Sequence, residues 1–332
     1  MLCDNCAGKA TSRARSRATS GMMSQFPATS ILMVINLAVF TWMLLNGGIS
    51  SLMGFPGDLL LKSGGNFGPY TLSGEYWRLV TAGFVHGSIF HIAMNLWCLW
   101  SLGQLSERLF GSSVTFAIYM LTGVGGALLS VAWNPGRLEV GASGAVFGIA
   151  GAILSGIKFG KVSVSAIQKR QIFSSLIFFV IFNLSFGMLP GIDNVCHFGG
   201  LISGLLFGAP LATAAASGKK ALEWGTVMVA TLVLAGLGSW TVQTHGHRSQ
   251  LAAGQTRLQD GNIPAAVSVL QRAVLSDPKD YRAHGLLGQA YELTLQRDLA
   301  IAEYQSALLL NPSIPGLQEH IEELQSAKPP DK

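Results

Sequence analysis

Seven apolar segments, at about residues 28–46, 89–105, 114–133, 141–158, 171–189, 195–215 and 222–242, run through this 332-residue chain. Each is close to the roughly 20 residues that a helix needs to cross the hydrocarbon of a bilayer. In hydrocarbon the backbone must satisfy its own polar groups, so such segments are read as helices. The expected fold class is therefore all-α, a polytopic membrane helix bundle. Only 12% of residues are charged, about half the share of a soluble domain. Residues 22–218 are charge-poor, and most Asp and Glu follow position 250, so a soluble helical domain is expected after the bundle.

The cations fix the expected topology. Arg13, Arg15 and Arg17 precede the first segment, and Arg108 follows the second. Lys158, Lys161, Lys169 and Arg170 lie between the fourth and fifth, and Lys219 and Lys220 between the sixth and seventh. These positive loops share one side, which the positive-inside rule makes cytoplasmic. Loops 47–88, 134–140 and 190–194 then face outward, as does the C-terminal domain. The net charge of +5 is thus assigned to topology, and no nucleic-acid partner is expected. The basic start is read as a cytoplasmic tail rather than a secretory signal or transit peptide. Cys3 and Cys6 form a lone CxxC, half of an ordinary zinc ligand set, and are placed in a solvated tail. Cys98 and Cys196 are read as packing residues. No metal and no organic cofactor is expected.

Loop 47–88 is long for a plain connection and carries Phe55, Phe67, Tyr70, Tyr76 and Trp77. An interfacial element anchored by aromatic rings would account for it.

Polar residues gather at the outer ends of three segments. Ser143 sits between Gly141-Ala142 and Gly144, at the start of the fourth. His197 opens the sixth, 54 positions later. A chain that goes down through a membrane and returns brings both to one face, the minimum geometry for a nucleophile and a general base. Glycine stripes (Gly200, Gly204 and Gly208 against Gly144 and Gly148) would let the two helices approach closely. His91 and Asn95 share a helix face at i, i+4. With the Ser143 N–H they could stabilise an oxyanion. His86 could support this group, and Phe147, one turn below Ser143, could stack on the imidazole. Taken singly, each residue also fits a structural helix contact. The soluble hydrolase elbow is not matched, because Ala145 replaces its second glycine. No third catalytic member is evident: Asp193 and Asn194 are near His197 but precede it in the loop.

Together Trp77-Arg78, His86, His91, Asn95, Glu107-Arg108, Phe110-Gly111, Gly141-Ala142-Ser143-Gly144 and His197-Phe198-Gly199-Gly200 resemble the rhomboid intramembrane serine proteases over residues 28–215. The resemblance implies a six-helix core with one added transmembrane helix. It makes Ser143 the nucleophile, His197 the general base, and His91 and Asn95 the oxyanion hole. Glu107 and Arg108 become structural, and loop 47–88 the family's membrane-embedded first loop. Phe147 stands where some members have tyrosine. The implied activity is a serine endopeptidase acting on transmembrane protein substrates in the lipid bilayer. The implied setting is a multi-pass protein of a bacterial plasma (inner) membrane.

Residues 247–280 and 281–314 repeat at an offset of 34, with Gly254 matching Gly288, Ala266 Ala300, Leu270 Tyr304, Ala273 Ala307 and Pro278 Pro312. Period and pattern resemble a tetratricopeptide repeat. Two repeats and a capping helix could bind a peptide or protein partner, or stack on a copy of themselves. The expected domains are a basic tail at 1–25, a protease domain at 26–215, a seventh transmembrane helix at 216–245 and the repeats at 246–328. The competing reading is a non-catalytic membrane adaptor that recruits partners through the repeats. A transporter ranks below it, because no inverted repeat is visible.

Overall fold

A computed structural model describes residues 25–162, 164–187 and 191–326. The Cys3/Cys6 pair and Arg13, Arg15 and Arg17 lie outside the described residues. The main helices are α1 (Pro27–Gly47), α2 (Ile89–Phe110), α3 (Ser112–Trp133), α4 (Ser143–Phe159), α5 (Ala166–Phe186), α6 (Asn194–Ala216), α7 (Lys220–Gln259), α8 (Ile263–Ser276), α9 (Tyr281–Leu293), α10 (Arg297–Leu310) and α11 (Leu317–Ser326). Strand structure among the described residues is limited to Asn66–Phe67 and Leu138–Glu139.

Each of the seven apolar segments is helical over most of its described residues. By length and composition α1, α3, α6 and α7 can each cross a membrane alone. Helix α2 reaches that standard when joined to Arg78–Phe84, which meets it at 94°. Helix α4 has only 17 residues, and every side chain from Gly144 to Ile157 is buried. It is enclosed by protein, so it need not match the thickness of the hydrocarbon. Helix α5 starts earlier than its apolar run because Ser165 and Gln168 form a capping box ahead of it. Helix α7 continues past the apolar segment 222–242 to Gln259, through the boundary expected near 245.

The chain forms two compact units. The first takes in the described residues of 25–65, 79–130 and 138–235. Its core surrounds α4 and includes Leu99, Ile118, Val146, Phe147, Ile149, Ile153 and Leu211. Large apolar side chains also face outward, among them Trp97, Phe178, Leu206 and Leu232. Helices that are apolar on both faces suit a lipid surround. Polar pairs join the helices inside. The Glu107 carboxylate accepts from the Thr29 N–H at 2.7 Å and the Thr29 hydroxyl at 2.6 Å. This covers donors in the first turn of α1, which a helix leaves unpaired. The Arg108 guanidinium lies over the Phe26 ring. The Tyr119 hydroxyl donates to the Gly83 carbonyl at 3.1 Å. Loop 47–88 is built of short helical turns, including Ile49–Met53, Gly57–Lys62 and Gly68–Thr71.

The second unit takes in the described residues 66–78, 131–137 and 236–326. Residues 66–78 and 131–137 thus group with the C-terminal helices rather than with the expected protease domain. Glu75 pairs with Arg78 at 2.7 Å and with Arg257. Arg272 donates to the Ser73 carbonyl at 2.8 Å. The core is Ala266, Leu270, Leu287, Ala290, Tyr291, Ala300, Tyr304 and Ile321. The 34-residue offset recurs in three dimensions. Gly254 leaves room for Leu270, and Gly288 leaves room for Tyr304. The larger Tyr304 also donates to Glu292 at 2.8 Å.

Candidate active site

Ser143 is the first residue of α4, and His197 lies in the first turn of α6. A helix start leaves N–H groups of its first turn without partners in the helix, so Ser143 presents a hydroxyl and a backbone donor together. Helices α4 and α6 pack with their backbones nearly touching. A β-carbon on Gly200 would overlap the Gly144 carbonyl, and one on Gly204 the Gly148 carbonyl. The two stripes thus meet at Gly144–Gly200 and at Gly148–Gly204, and other residues complete the contact. The Gly148 side faces Thr122 of α3, and Gly151 is the residue pressed against the Leu201 carbonyl. Gly144 leaves space for the Cys196 sulfur, and the Cys196 thiol donates to Glu139 Oε1 at 3.4 Å.

This close approach brings His197 Nε2 to 2.8 Å from Ser143 Oγ. Phe147 stacks on the imidazole, with ring centroids 4.5 Å apart and planes 12° from parallel. On the other side of the ring, His197 Nδ1 lies 3.2 Å from Asn194 Oδ1. Asn194 Nδ2 donates to the Leu184 carbonyl at 3.1 Å, so the amide oxygen is the atom turned to the imidazole. An amide oxygen only accepts, which places the imidazole proton on Nδ1 and leaves Nε2 to accept from Ser143. Asp193 caps α6 by accepting from the N–H groups of Val195 at 3.0 Å and Cys196 at 3.2 Å. Its other oxygen accepts from Ser130 at 2.5 Å.

The histidines of α2 and the loop before it hold the other wall. His86 is fully buried. Its Nδ1 meets the Phe84 carbonyl at 3.2 Å, and its Nε2 accepts from the Ala142 N–H at 3.4 Å. His86 therefore fixes the backbone immediately before Ser143. Its ring lies edge-on to that of His91 at 5.0 Å. His91 Nδ1 accepts from the Gly87 N–H at 3.3 Å, which leaves its proton on Nε2. That nitrogen points at Gly141, where a β-carbon would sit 2.6 Å away. Gly141 also has φ of +119°, a conformation that favours glycine. Its N–H donates to the Ala82 carbonyl at 2.9 Å. Asn95 Nδ2 donates to the His91 carbonyl at 2.9 Å. Among the described residues, neither His91 nor Asn95 hydrogen-bonds Ser143 directly.

The structure thus gathers Ser143, His197, Phe147, His86, His91, Asn95, Gly141 and Gly144 within one unit. Asn194 and Gly187 were missed in the sequence. The sequence reading places Asn194 in the loop before His197, whereas in the structure it begins α6, where an i, i+3 partner of His197 shares its face. Among the described residues, no cluster of three His, Cys, Asp or Glu is placed to hold a metal.

The Rhomboid domain family matches residues 73–214. Rhomboid protease GluP of Bacillus subtilis is 29% identical over 302 residues, covering 79% of this chain and 57% of that protein. RHOMBOID-like protein 4 of Arabidopsis thaliana is 39% identical over 134 residues, covering 40% of this chain and 34% of its own length. This chain therefore spans about a third to somewhat over half of these two relatives. Rhomboid protease AarA of Providencia stuartii is 31% identical over 201 residues, with 54% of this chain and 70% of that protein covered. A domain match that contains Ser143, His197, His91 and Asn95, and a relative aligned over most of its length, place this chain in the rhomboid family.

Proposed function

We propose that the protein is a serine endopeptidase that cuts peptide bonds in or near transmembrane segments of membrane-protein substrates. The observation that carries the reading is the 2.8 Å hydrogen bond from Ser143 Oγ to His197 Nε2. In this reading Ser143 Oγ attacks the scissile carbonyl while His197 Nε2 takes its proton. The Ser143 N–H, His91 Nε2–H and the second N–H of the Asn95 amide donate to the developing oxyanion. His197 then returns the proton to the leaving amine, the peptide C–N bond breaks, and an acyl ester remains on Ser143. Water, deprotonated by His197, hydrolyses that ester and restores the serine. Phe147 keeps the imidazole in plane, and His86 keeps the Ala142 peptide in place. The names of GluP and AarA as rhomboid proteases support the activity.

The same reading covers the surroundings. The bundle is a multi-pass protein of a bacterial plasma membrane, with its N-terminus cytoplasmic and the site at the outer ends of α2, α4 and α6, where water reaches it. Positive loops at Lys158–Lys169 and Lys219–Lys220 support that orientation. The C-terminal helices are a tetratricopeptide array, supported by the Gly254–Leu270 and Gly288–Tyr304 contacts 34 residues apart. The array engages a peptide or protein partner.

The test is labelling of the solubilised protein with a fluorophosphonate, beside cleavage of a model transmembrane substrate in lipid. Wild type is expected to label and cleave. Ser143→Ala, eluting as folded protein, is expected to do neither, with cleavage down by at least about three orders of magnitude. A Ser143→Ala protein that cleaves at the wild-type rate overturns the assignment.

A further inference from the structure

We propose that Asn194 is a positioning residue for His197, a neutral amide that holds the imidazole of the Ser143–His197 pair from the side away from the serine. The inference rests on the protease reading and adds a residue to it.

The geometry has three parts. First, Asn194 Oδ1 lies 3.2 Å from His197 Nδ1, on the side of the ring opposite Ser143. Second, the amide cannot swing away or flip freely. Its Nδ2 donates to the Leu184 carbonyl at the end of α5, at 3.1 Å. An inverted amide would set an N–H against the imidazole N–H and an oxygen against a carbonyl. Third, the seat is built to the size of the amide. A β-carbon on Gly187 would overlap Asn194 Oδ1 and stand 2.7 Å from Nδ2. The Gly187 φ of −64° is open to any residue, so the space occupied by Asn194 is what glycine supplies there.

The chemistry follows from proton placement. A general base toward serine needs a lone pair on Nε2, so the neutral ring must carry its proton on Nδ1. Asn194 Oδ1 accepts that proton's hydrogen bond and so favours the useful tautomer. It also fixes the ring against rotation, while Phe147 holds its plane from one face. When the ring becomes imidazolium during attack, both N–H groups still have partners: Asn194 at Nδ1 and the reacting oxygens at Nε2. A neutral amide stabilises that cation less than a carboxylate does. It also needs no second charge beside a site at a membrane surface, where burying charge is costly.

The test compares wild type, Ser143→Ala, Asn194→Leu, Asn194→Asp and Gly187→Ala as full-length protein in lipid. Active sites are counted by fluorophosphonate titration, so rates refer to folded enzyme. Asn194→Leu, close in size but without an acceptor, is expected to lower kcat about 10- to 100-fold with KM little changed. Asn194→Asp keeps the acceptor and is expected to fall between Leu and wild type. Gly187→Ala, which displaces Asn194 without altering it, is expected to lower kcat in the same way. In ¹⁵N-histidine spectra, the signals that His197→Gln removes should show Nδ1 protonated in wild type and a mixture of tautomers in Asn194→Leu. If wild type neither labels nor cleaves, the protease reading itself fails. If wild type is active and Ser143→Ala is not, the positioning role is overturned by wild-type kcat in Asn194→Leu and Gly187→Ala. An unchanged His197 tautomer in Asn194→Leu also overturns it, as does an Asp variant no better than Leu.

Discussion

Gly200 packs so tightly on Gly144 that a β-carbon at position 200 would occupy the place of the Gly144 carbonyl oxygen. Gly144 directly follows Ser143 and Gly200 lies one turn after His197, so the distance between the two helices sets the distance between the two side chains. The obstacle is backbone, which cannot rotate aside. Gly200→Ala is expected to cost about 1–3 kcal/mol of stability, the usual range for overpacking. It should also lower fluorophosphonate labelling of the folded fraction by tenfold or more, because a shift of about 1 Å would break the Ser143–His197 hydrogen bond on which the proposed activity depends. Gly225→Ala, where nothing lies within 4 Å of the added carbon, is the control and should match wild type in melting and labelling.

Phe147 and His197 form the most nearly parallel contact at the site, 12° from coplanar at 4.5 Å. The stack has no polar component, so its effect is confined to the orientation of the ring. Phe147→Ala removes an aromatic contact of about 0.5–1.5 kcal/mol, and the imidazole gains freedom about its side-chain torsions. The expected result is a fall in kcat of about tenfold, with KM close to wild type. Phe147→Tyr keeps the stack and should retain most of the activity. Steady-state cleavage of a model substrate by purified variants checks both.

The arrangement of helices was legible in the sequence because lipid imposes a single backbone solution on a long apolar run. The meeting of Ser143 with His197 was legible from the parity of crossings, and the small residues between them showed where backbones could touch. Three things were hidden. Helix α4 carries the polar and small residues expected of a helix lining a site, but its composition does not reveal that protein encloses it from Gly144 to Ile157. Asn194 looked like loop because an apolar run marks where a helix becomes greasy, whereas Asp193 caps α6 and starts it just before His197. Finally, the grouping of residues 66–78 with the C-terminal helices depends on Arg257 and Arg272, two ordinary surface cations in the sequence.

Asp280 gives the C-terminal unit one pH-sensitive contact. It precedes α9 and caps it, accepting from the Arg282 N–H at 2.9 Å. The Arg282 guanidinium approaches the same carboxylate at 2.9 and 2.8 Å, and His247 Nε2 at 2.9 Å. These bonds, those of Arg282 foremost, hold the Asp280 carboxyl below the usual carboxylate range. A carboxyl whose pKa is lowered by folding stabilises the folded state above its unfolded pKa of about 3.9 and loses that contribution as pH falls further. The guanidinium is largely exposed, so solvent screens the ion pair and the cap contributes most. Asp280→Ala should therefore weaken the unit by about 1 kcal/mol near pH 7, the usual loss for a helix cap. Hydrogen exchange over residues 281–310 should show lower protection in the variant at pH 7. The gap between variant and wild type should narrow as pH is taken below about 4. A gap that stays constant down to pH 2 would mean that the carboxylate charge contributes nothing to the fold.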